Sequence, residues 1–494
     1  MRVQDSTPPD PDVVIVGAGF SGLGMAIELS RAGREDYVIL EKADEVGGTW
    51  RENTYPGCAC DVQSHVYSYS FELNAGWSRM FPQQAEILDY LRRCADRYGL
   101  RRHIRFRSEF SGATYDDRTG RWRVTTADGA VLTCRALVLG MGPLHQPSIP
   151  DLPGLDGFRG PVFHSARWDH EVDLDGRNVA VVGTGASAIQ FVPRIAPRAG
   201  RLTVFQRTPP WVLPKADRSV TDLERRLFAR VPAAQRAYRN AIYWRLESRF
   251  AAFEHPRLMW AAQQVAQWHL RRQVKDPQLR RALTPDYRMG CKRTLLSNDY
   301  YPALTRPNVD LVTSAVAEVR DDRVVTRDGT EHPADVLILG TGFHVTDAYQ
   351  QLPLTGRGGR AIQEVWADGI EAYLGTTVSG FPNLFLLLGP NTGLGHNSMI
   401  FMIESQTRYV ARCLDLLDRS GGQALEVLEP EQRAFNERIQ GALAGEVWTA
   451  DNCTSWYLDG EGVNRAAWPG WTWQYRLRTR RPRPEHYRVL RPGR

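Results

Sequence analysis

Six residues near the start of the chain, Gly17-Ala18-Gly19-Phe20-Ser21-Gly22, have the spacing that lets a backbone wrap a pyrophosphate. Gly17 permits a tight turn after the apolar run Val13-Val14-Ile15-Val16. Gly19 removes the side chain that would keep a phosphate away, and Gly22 lets the next helix pack closely on the strand. The anion then meets the free N–H groups and the dipole at a helix N-terminus. Glu41 closes the following apolar run, Tyr37 to Leu40, at the distance of about 20 residues where such a turn has its acidic partner. A carboxylate there accepts hydrogen bonds from ribose hydroxyls and repels a 2′-phosphate, so this site suits FAD or NAD.

The pattern recurs as Val179-Ala180-Val181-Val182 followed by Gly183-Thr184-Gly185-Ala186-Ser187-Ala188, with Ala in the last place as an allowed variant. At the end of its second apolar run, Leu202 to Phe205, no acid follows. The chain reads Gln206-Arg207-Thr208, and a guanidinium forks onto phosphate oxygens, so this second site prefers NADPH. One site for a flavin and one for NADPH imply a flavoprotein oxidoreductase, in which FAD carries the redox chemistry and the protein supplies geometry.

These turns need strands before them and helices after them. Leu23 to Ala32 and Ile189 to Ala196 are the helices that follow, which gives β–turn–α–β twice. The expected class is α/β, with two doubly wound (Rossmann-like) dinucleotide-binding domains, the second inserted into the first, and a helical subdomain. Two further strand-then-glycine runs, Leu137 to Gly142 and Val336 to Gly342, bracket the second unit and read as the chain crossings out of and back into the first domain. The expected division is 1–145 for the first part of the FAD domain and 146–335 for the NADP domain, with a helical insertion at about 218–290. Residues 336–494 then complete the FAD domain and the C-terminal region. Leu223 to Leu283 is rich in Arg, Ala, Gln and Leu with few breakers, hence the helical insertion. Trp448 to Tyr475 is aromatic with Gly and Pro, and reads as ordered but irregular.

Composition agrees with a folded, soluble chain: 494 residues, 42% hydrophobic and 24% charged. No run of about 20 apolar residues offers a membrane span. Met1 to Asp12 is polar and Pro-rich without a signal pattern, so a cytoplasmic protein is expected. The net charge of +6 is mild and nothing resembles a nucleic-acid module. The seven cysteines include no C-x-x-C. Cys58 and Cys60 suit neither a redox pair nor a metal site, so no metal is expected and all seven read as thiols.

Specific motifs narrow the chemistry. Phe158, Gly160, His164, Trp168 and Asp169, in Phe158-Arg159-Gly160-Pro161-Val162-Phe163-His164-Ser165-Ala166-Arg167-Trp168-Asp169, complete at every fixed position a segment that resembles the fingerprint of type I Baeyer–Villiger monooxygenases. Gly47-Gly48-Thr49-Trp50, leading to Tyr55-Pro56-Gly57 and Asp61, resembles that family's second signature. The resemblance runs from the first glycine turn to Gly389-Pro390-Asn391-Thr392. It implies a class B flavoprotein monooxygenase that uses FAD, NADPH and O2, through an oxygen adduct at the flavin C4a. One oxygen atom enters next to a ketone carbonyl and gives an ester or lactone.

By the same resemblance Ser21, Glu41, Thr49, Trp50, Asp61 and Tyr67 fall where the family contacts FAD, with Phe20, Lys42 and Gly48 beside them. Thr184 to Gln190, Arg207 and Thr208 fall where it holds NADP. Lys292 and Arg293 match a basic pair whose Arg lies beside the flavin, and Met399 falls in a loop that lines the substrate pocket. Arg293 is the expected catalytic cation, suited to a developing anion because it stays protonated, with Asp61 holding its orientation. His164 and Trp168 suit either packing of an inter-domain linker or a part in domain motion. Two other chemistries share the nucleotide sites: a flavin monooxygenase acting on sulfur or nitrogen, and a pyridine-nucleotide reductase, which needs a redox cysteine pair that this chain lacks.

Arg207→Ala is expected to weaken NADPH far more than NADH, by about 1.5–3 kcal/mol for a charge-assisted contact. Titration of both nucleotides checks this, and equal losses would remove the assignment.

Overall fold

The computed structural model describes residues 10–491 apart from 346–348, 350, 450–454 and 456. Met1 to Pro9, Cys453 and the last three residues of the tail therefore lie outside the described residues.

The first apolar run becomes the centre of a five-stranded parallel sheet. Its order is Leu384–Leu386, Ala136–Leu139, Val13–Val16, Tyr37–Leu40, Ile104–Arg105. Val13–Val16 is buried at all four positions, as a parallel strand covered on both faces must be. The helix Phe20–Arg31 follows the glycine turn at once and packs against the long helix Met399–Ser420. A second five-stranded parallel sheet has the order Val309–Val312, Arg201–Phe205, Asn178–Val182, Val336–Leu339, Val162–His164. Its glycine turn feeds the helix Ala188–Ile195. The chain leaves the first sheet after Leu139 and returns to it at Leu384, so the second unit sits inside the first.

One boundary moves. Val336–Leu339 is not the return to the first domain that the sequence suggested, so residue 335 does not end the second unit. The strand pairs with Asn178–Val182 on one side and Val162–His164 on the other. An apolar run entering a glycine turn marks a buried parallel strand in either sheet, and its own residues do not say which neighbour it pairs with. The crossing comes after it, at Gly340.

The two turns are built alike. Gly17 has φ +96 and Gly183 φ +110, and a Cβ on either would lie 2.8 Å from the Gly140 carbonyl oxygen or 2.3 Å from that of Gly340. Gly140 N–H donates to Val16 O at 2.8 Å and Gly340 N–H to Val182 O at 2.8 Å. Each nucleotide turn therefore rests against the backbone of a chain crossing.

The helical insertion holds Asp222–Arg230, Pro232–Glu247, Pro256–Gln273 and Pro277–Ala282. Thr221 and Glu224 form a capping box at the first, and three of the four carry Pro in the first turn, where its missing N–H costs nothing. The aromatic C-terminal region packs into the main core through Trp448, Tyr457, Trp468 and Tyr475, and includes the helix Thr472–Arg478. No helix among the described residues is long and apolar enough to cross a membrane. The reading of all cysteines as thiols needs one correction: Cys291 is disulfide-bonded, while Cys58, Cys60, Cys94, Cys134 and Cys413 are free and buried. Sequence spacing gave no sign of it, because a disulfide is set by distance in the fold rather than along the chain.

Gly22 carries the closest approach in the first unit, since a Cβ there would lie 1.7 Å from the Gly17 carbonyl oxygen. Gly22→Ala must push helix from strand, with an expected loss of about 2–3 kcal/mol and of bound flavin. Denaturant unfolding and the yellow colour of the purified protein report both, and a variant of wild-type stability would contradict the packing role.

Candidate active site

A cavity of about 1180 Å³ opens over the carboxyl ends of both sheets, where doubly wound folds bind ligands. Both glycine turns line it. In the first half the helix Phe20–Arg31 begins at Gly19 with no side-chain cap, so its leading N–H groups remain available to an anion. Gly19 faces Gly48 across a gap too narrow for side chains: a Cβ on Gly48 would lie 3.0 Å from the Gly19 Cα. Glu41 is buried and accepts from Ala18 N–H at 2.8 Å and Ala43 N–H at 3.0 Å. Its carboxylate thus braces the turn, and the lone pairs left over remain for ribose hydroxyls. Lys42, Thr49 and Ser21 line the same wall. Trp50 Nε1–H donates to the Tyr67 hydroxyl at 3.1 Å, and the Tyr67 ring stands edge-on to Phe20 at 5.4 Å, so these three fix one another. Burial holds the Tyr67 phenol well above its ordinary pKa, hence neutral.

In the second half a Cβ on Gly185 would meet nothing within 4 Å. That open space, beside Thr184, Ala186 and Ser187 on the cavity wall, leaves room for a group the size of a phosphate. Thr184 Oγ1 donates to Thr208 O at 3.3 Å and ties the turn to the strand end that carries Arg207. Arg207 is exposed and has no ion pair among the described residues. Lys292 lies over the Tyr287 ring at 4.9 Å. Burial lowers its pKa, and the positive charge of Arg207 lowers it further. Both cations line the cavity wall, where they make the local field positive. Gly22 and Ala188 stand behind their turns rather than on the cavity, and act through packing.

Between the halves Arg293 meets Asp61. Nε at 3.0 Å and Nη2 at 2.6 Å both donate to Asp61 Oδ2. The side chains keep 34% and 27% of their exposure, so the pair is shielded without being sealed. Burial works against the charge on Asp61, but Arg293 outweighs it and holds the carboxyl below the usual range. Asp61 in turn holds the guanidinium above its ordinary value. The cation is therefore fixed in place and in charge at any working pH. Met399 opens the helix Met399–Ser420 behind Ser398 and lines the same cavity.

Gln190 lines the cavity and also bridges the two domains. Its Oε1 accepts from the Tyr55 hydroxyl at 3.0 Å and Ala59 N–H at 3.2 Å, and its Nε2 donates to Ala59 O at 3.0 Å. Lys215 escaped sequence reading. Burial lowers its pKa, and the charge of Asp217, ahead of Cys60 and Asp61, opposes that. A lone Lys in the Pro-rich run after Thr208 carries no motif that would have found it.

The fingerprint residues assemble elsewhere. Phe158 packs under the second sheet, and a Cβ on Gly160 would lie 2.1 Å from Asp335 O. His164 Nδ1 accepts from Ala166 N–H at 3.1 Å, and burial pushes the ring down to about 4, so it is neutral. Trp168 packs on Phe163 and Phe191, each at 5.2 Å, and Asp169 accepts from Glu171 N–H at 2.9 Å. His164, Trp168 and Asp169 border a separate hollow of about 720 Å³, away from Arg293.

The chain is similar to known proteins over nearly its whole length. A family model described as pyridine nucleotide-disulphide oxidoreductase matches residues 14–243. The chain is 50% identical over 483 residues to a protein of Streptomyces coelicolor named Baeyer-Villiger monooxygenase, covering 97% of this chain and 93% of that one. Oxidized steroid monooxygenase bound to NADP superposes with a TM-score of 0.86 at 32% identity, covering 98% of this chain and 100% of that one. Cyclohexanone monooxygenase from Rhodococcus sp. Phi1 bound to NADP+ gives 0.87 at 29% identity, with the same coverage.

Because no protein atom would meet a Cβ at Gly185, Gly185→Val is expected to leave folding near wild type and to weaken NADPH by at least about tenfold through loss of the phosphate space. Unfolding curves and nucleotide titration separate the two, and unchanged NADPH affinity would contradict the placement.

Proposed function

We propose that this chain, which belongs to the Baeyer–Villiger monooxygenase family, inserts one oxygen atom of O2 next to a ketone carbonyl to give an ester or lactone, with NADPH as reductant. The observation that carries this reading is the placing of a charge-fixed Arg293 in one cavity with two nucleotide turns. Bound FAD supplies the electron transfer from NADPH and the activation of O2 that no side chain here can perform.

The chain's residues do the rest. Gly17 to Gly22, Glu41, Gly48 and Thr49 hold the flavin nucleotide, with Trp50 and Tyr67 shaping its wall. Gly183 to Gln190, Thr208, Arg207 and Lys292 hold NADP. Asp61 spends the Nε–Nη2 edge of Arg293 and sets its direction. The guanidinium then stabilises negative charge developing on oxygen at the ketone, because it is already oriented and loses nothing by reorganising. Met399 bounds the ketone.

The family model named for disulphide reductases matches the nucleotide-binding half. Cys58 and Cys60 give reductase chemistry no redox pair: both are free thiols, and burial pushes Cys58 up to about 12 and Cys60 further. A cytoplasmic location belongs to the same proposal: the five free buried thiols favour it, and the disulfide at Cys291 counts against it.

Arg293→Ala is expected to bind FAD and to be reduced by NADPH, since both turns are intact. Ester formation should fall about a hundred- to thousandfold, the usual loss for one preorganised charge contact, while NADPH consumption continues with release of hydrogen peroxide. Lys should rescue poorly because it lacks the planar fork. Ester formed per NADPH consumed is the measurement, and wild-type coupling would overturn the role.

A further inference from the structure

A fully buried carboxylate lies behind the proposed ketone wall, outside both nucleotide sites. Glu247 ends the helix Pro232–Glu247 and has no exposed surface. It accepts from Asn397 Nδ2 at 2.5 Å, from Thr472 N–H at 2.5 Å and from Thr472 Oγ1 at 2.8 Å. His396 Nε2 lies 3.5 Å away with its side chain 1% exposed, and the imidazole packs on Phe250 at 5.1 Å. Neither His396 nitrogen has a hydrogen-bond partner at shorter range among the described residues, so the Glu247 carboxylate is the charged group the ring faces. Burial opposes the charge on Glu247, yet His396, Asn397 and Thr472 together hold it below the usual carboxylate range.

Three segments distant in sequence converge on this group: the helical insertion, the loop before Met399 and the aromatic C-terminal region. The loop connects directly to the cavity. Asn397 and Met399 both line it, whereas Glu247 and His396 do not. The Asn397 amide is used on both sides, since Nδ2 donates to Glu247 and Oδ1 accepts from Ser398 N–H at 2.8 Å. Ser398 Oγ in turn caps the helix that Met399 begins. An apolar residue in place of Glu247 would strand the Thr472 N–H and the Asn397 amide without water, an expensive arrangement.

We propose that Glu247 is a positioning residue for the ketone pocket: through Asn397 and Ser398 it fixes Met399 relative to the helical insertion, so that the insertion sets the width of the pocket. This rests on the oxygenation reading above, and the experiment keeps the two apart.

Glu247→Gln retains the size and one acceptor oxygen but presents an NH2 to donors. In the FAD-loaded enzyme, KM for cyclohexanone and acetophenone should rise on the order of tenfold, and the preference between them should change. The kcat, the flavin content and the rate of anaerobic reduction by NADPH should stay within about twofold. Thr472→Val removes one donor from the same carboxylate and should act in the same direction more weakly; it decides the matter if Glu247→Gln does not fold. Unchanged KM and preference would overturn the proposal. So would a parallel fall of KM performance, flavin content and NADPH reduction in step with a lower unfolding temperature, which marks a purely structural role. If wild type is reduced by NADPH yet forms no ester, the oxygenation reading fails. The affinity of the same ketones for the oxidised holoenzyme, read from the flavin absorbance, then still tests Glu247: a weakened affinity in the variant supports the proposal and an unchanged one overturns it.

Discussion

Backbone contact at two glycines governs the rest of the molecule. Gly17 rests on the carbonyl of Gly140 and Gly183 on that of Gly340, each too close for a side chain. This contact brings the end of a central strand, the start of a helix and the chain crossing to one point. Two such points, one per sheet, open on a common cavity. Backbone at the glycine turns and side chains from strand ends, loops and helix starts face that space together, as in doubly wound folds generally.

The electrostatics of the cavity divide by task. Glu41 is negative and spent largely on backbone N–H groups, which stiffens the first turn and leaves a polar edge suited to hydroxyls. Arg207 and Lys292 add positive charge to the cavity wall, where the proposal above seats the phosphates of NADP. Arg293 is positive and paired, and its Asp61 partner costs some field but fixes direction. An unpaired cation at this place would be stronger and less well aimed.

What could be read from the sequence follows from how local each feature is. The glycine turns were legible because three close approaches impose one short spacing. Glu41 and Arg207 were legible because the end of the second strand is reached by counting. Val336–Leu339 was recognised as a strand but given to the wrong sheet, since pairing partners are not written in an apolar run. Arg293 and Asp61 are 232 residues apart, and only a resemblance brought them together. Lys215, the Cys291 disulfide and the meeting of Glu247, His396, Asn397 and Thr472 had no local signature, because each depends on segments that touch only after folding.

The amide of Gln190 makes the two nucleotide units a geared pair. Its three hydrogen bonds seat the stretch from Tyr55 to Ala59 on the helix Ala188–Ile195, two residues before Asp61. A rotation of the second unit must either break these bonds or drag that stretch along. In the second case the displaced stretch ends two residues short of Asp61, the partner that orients Arg293.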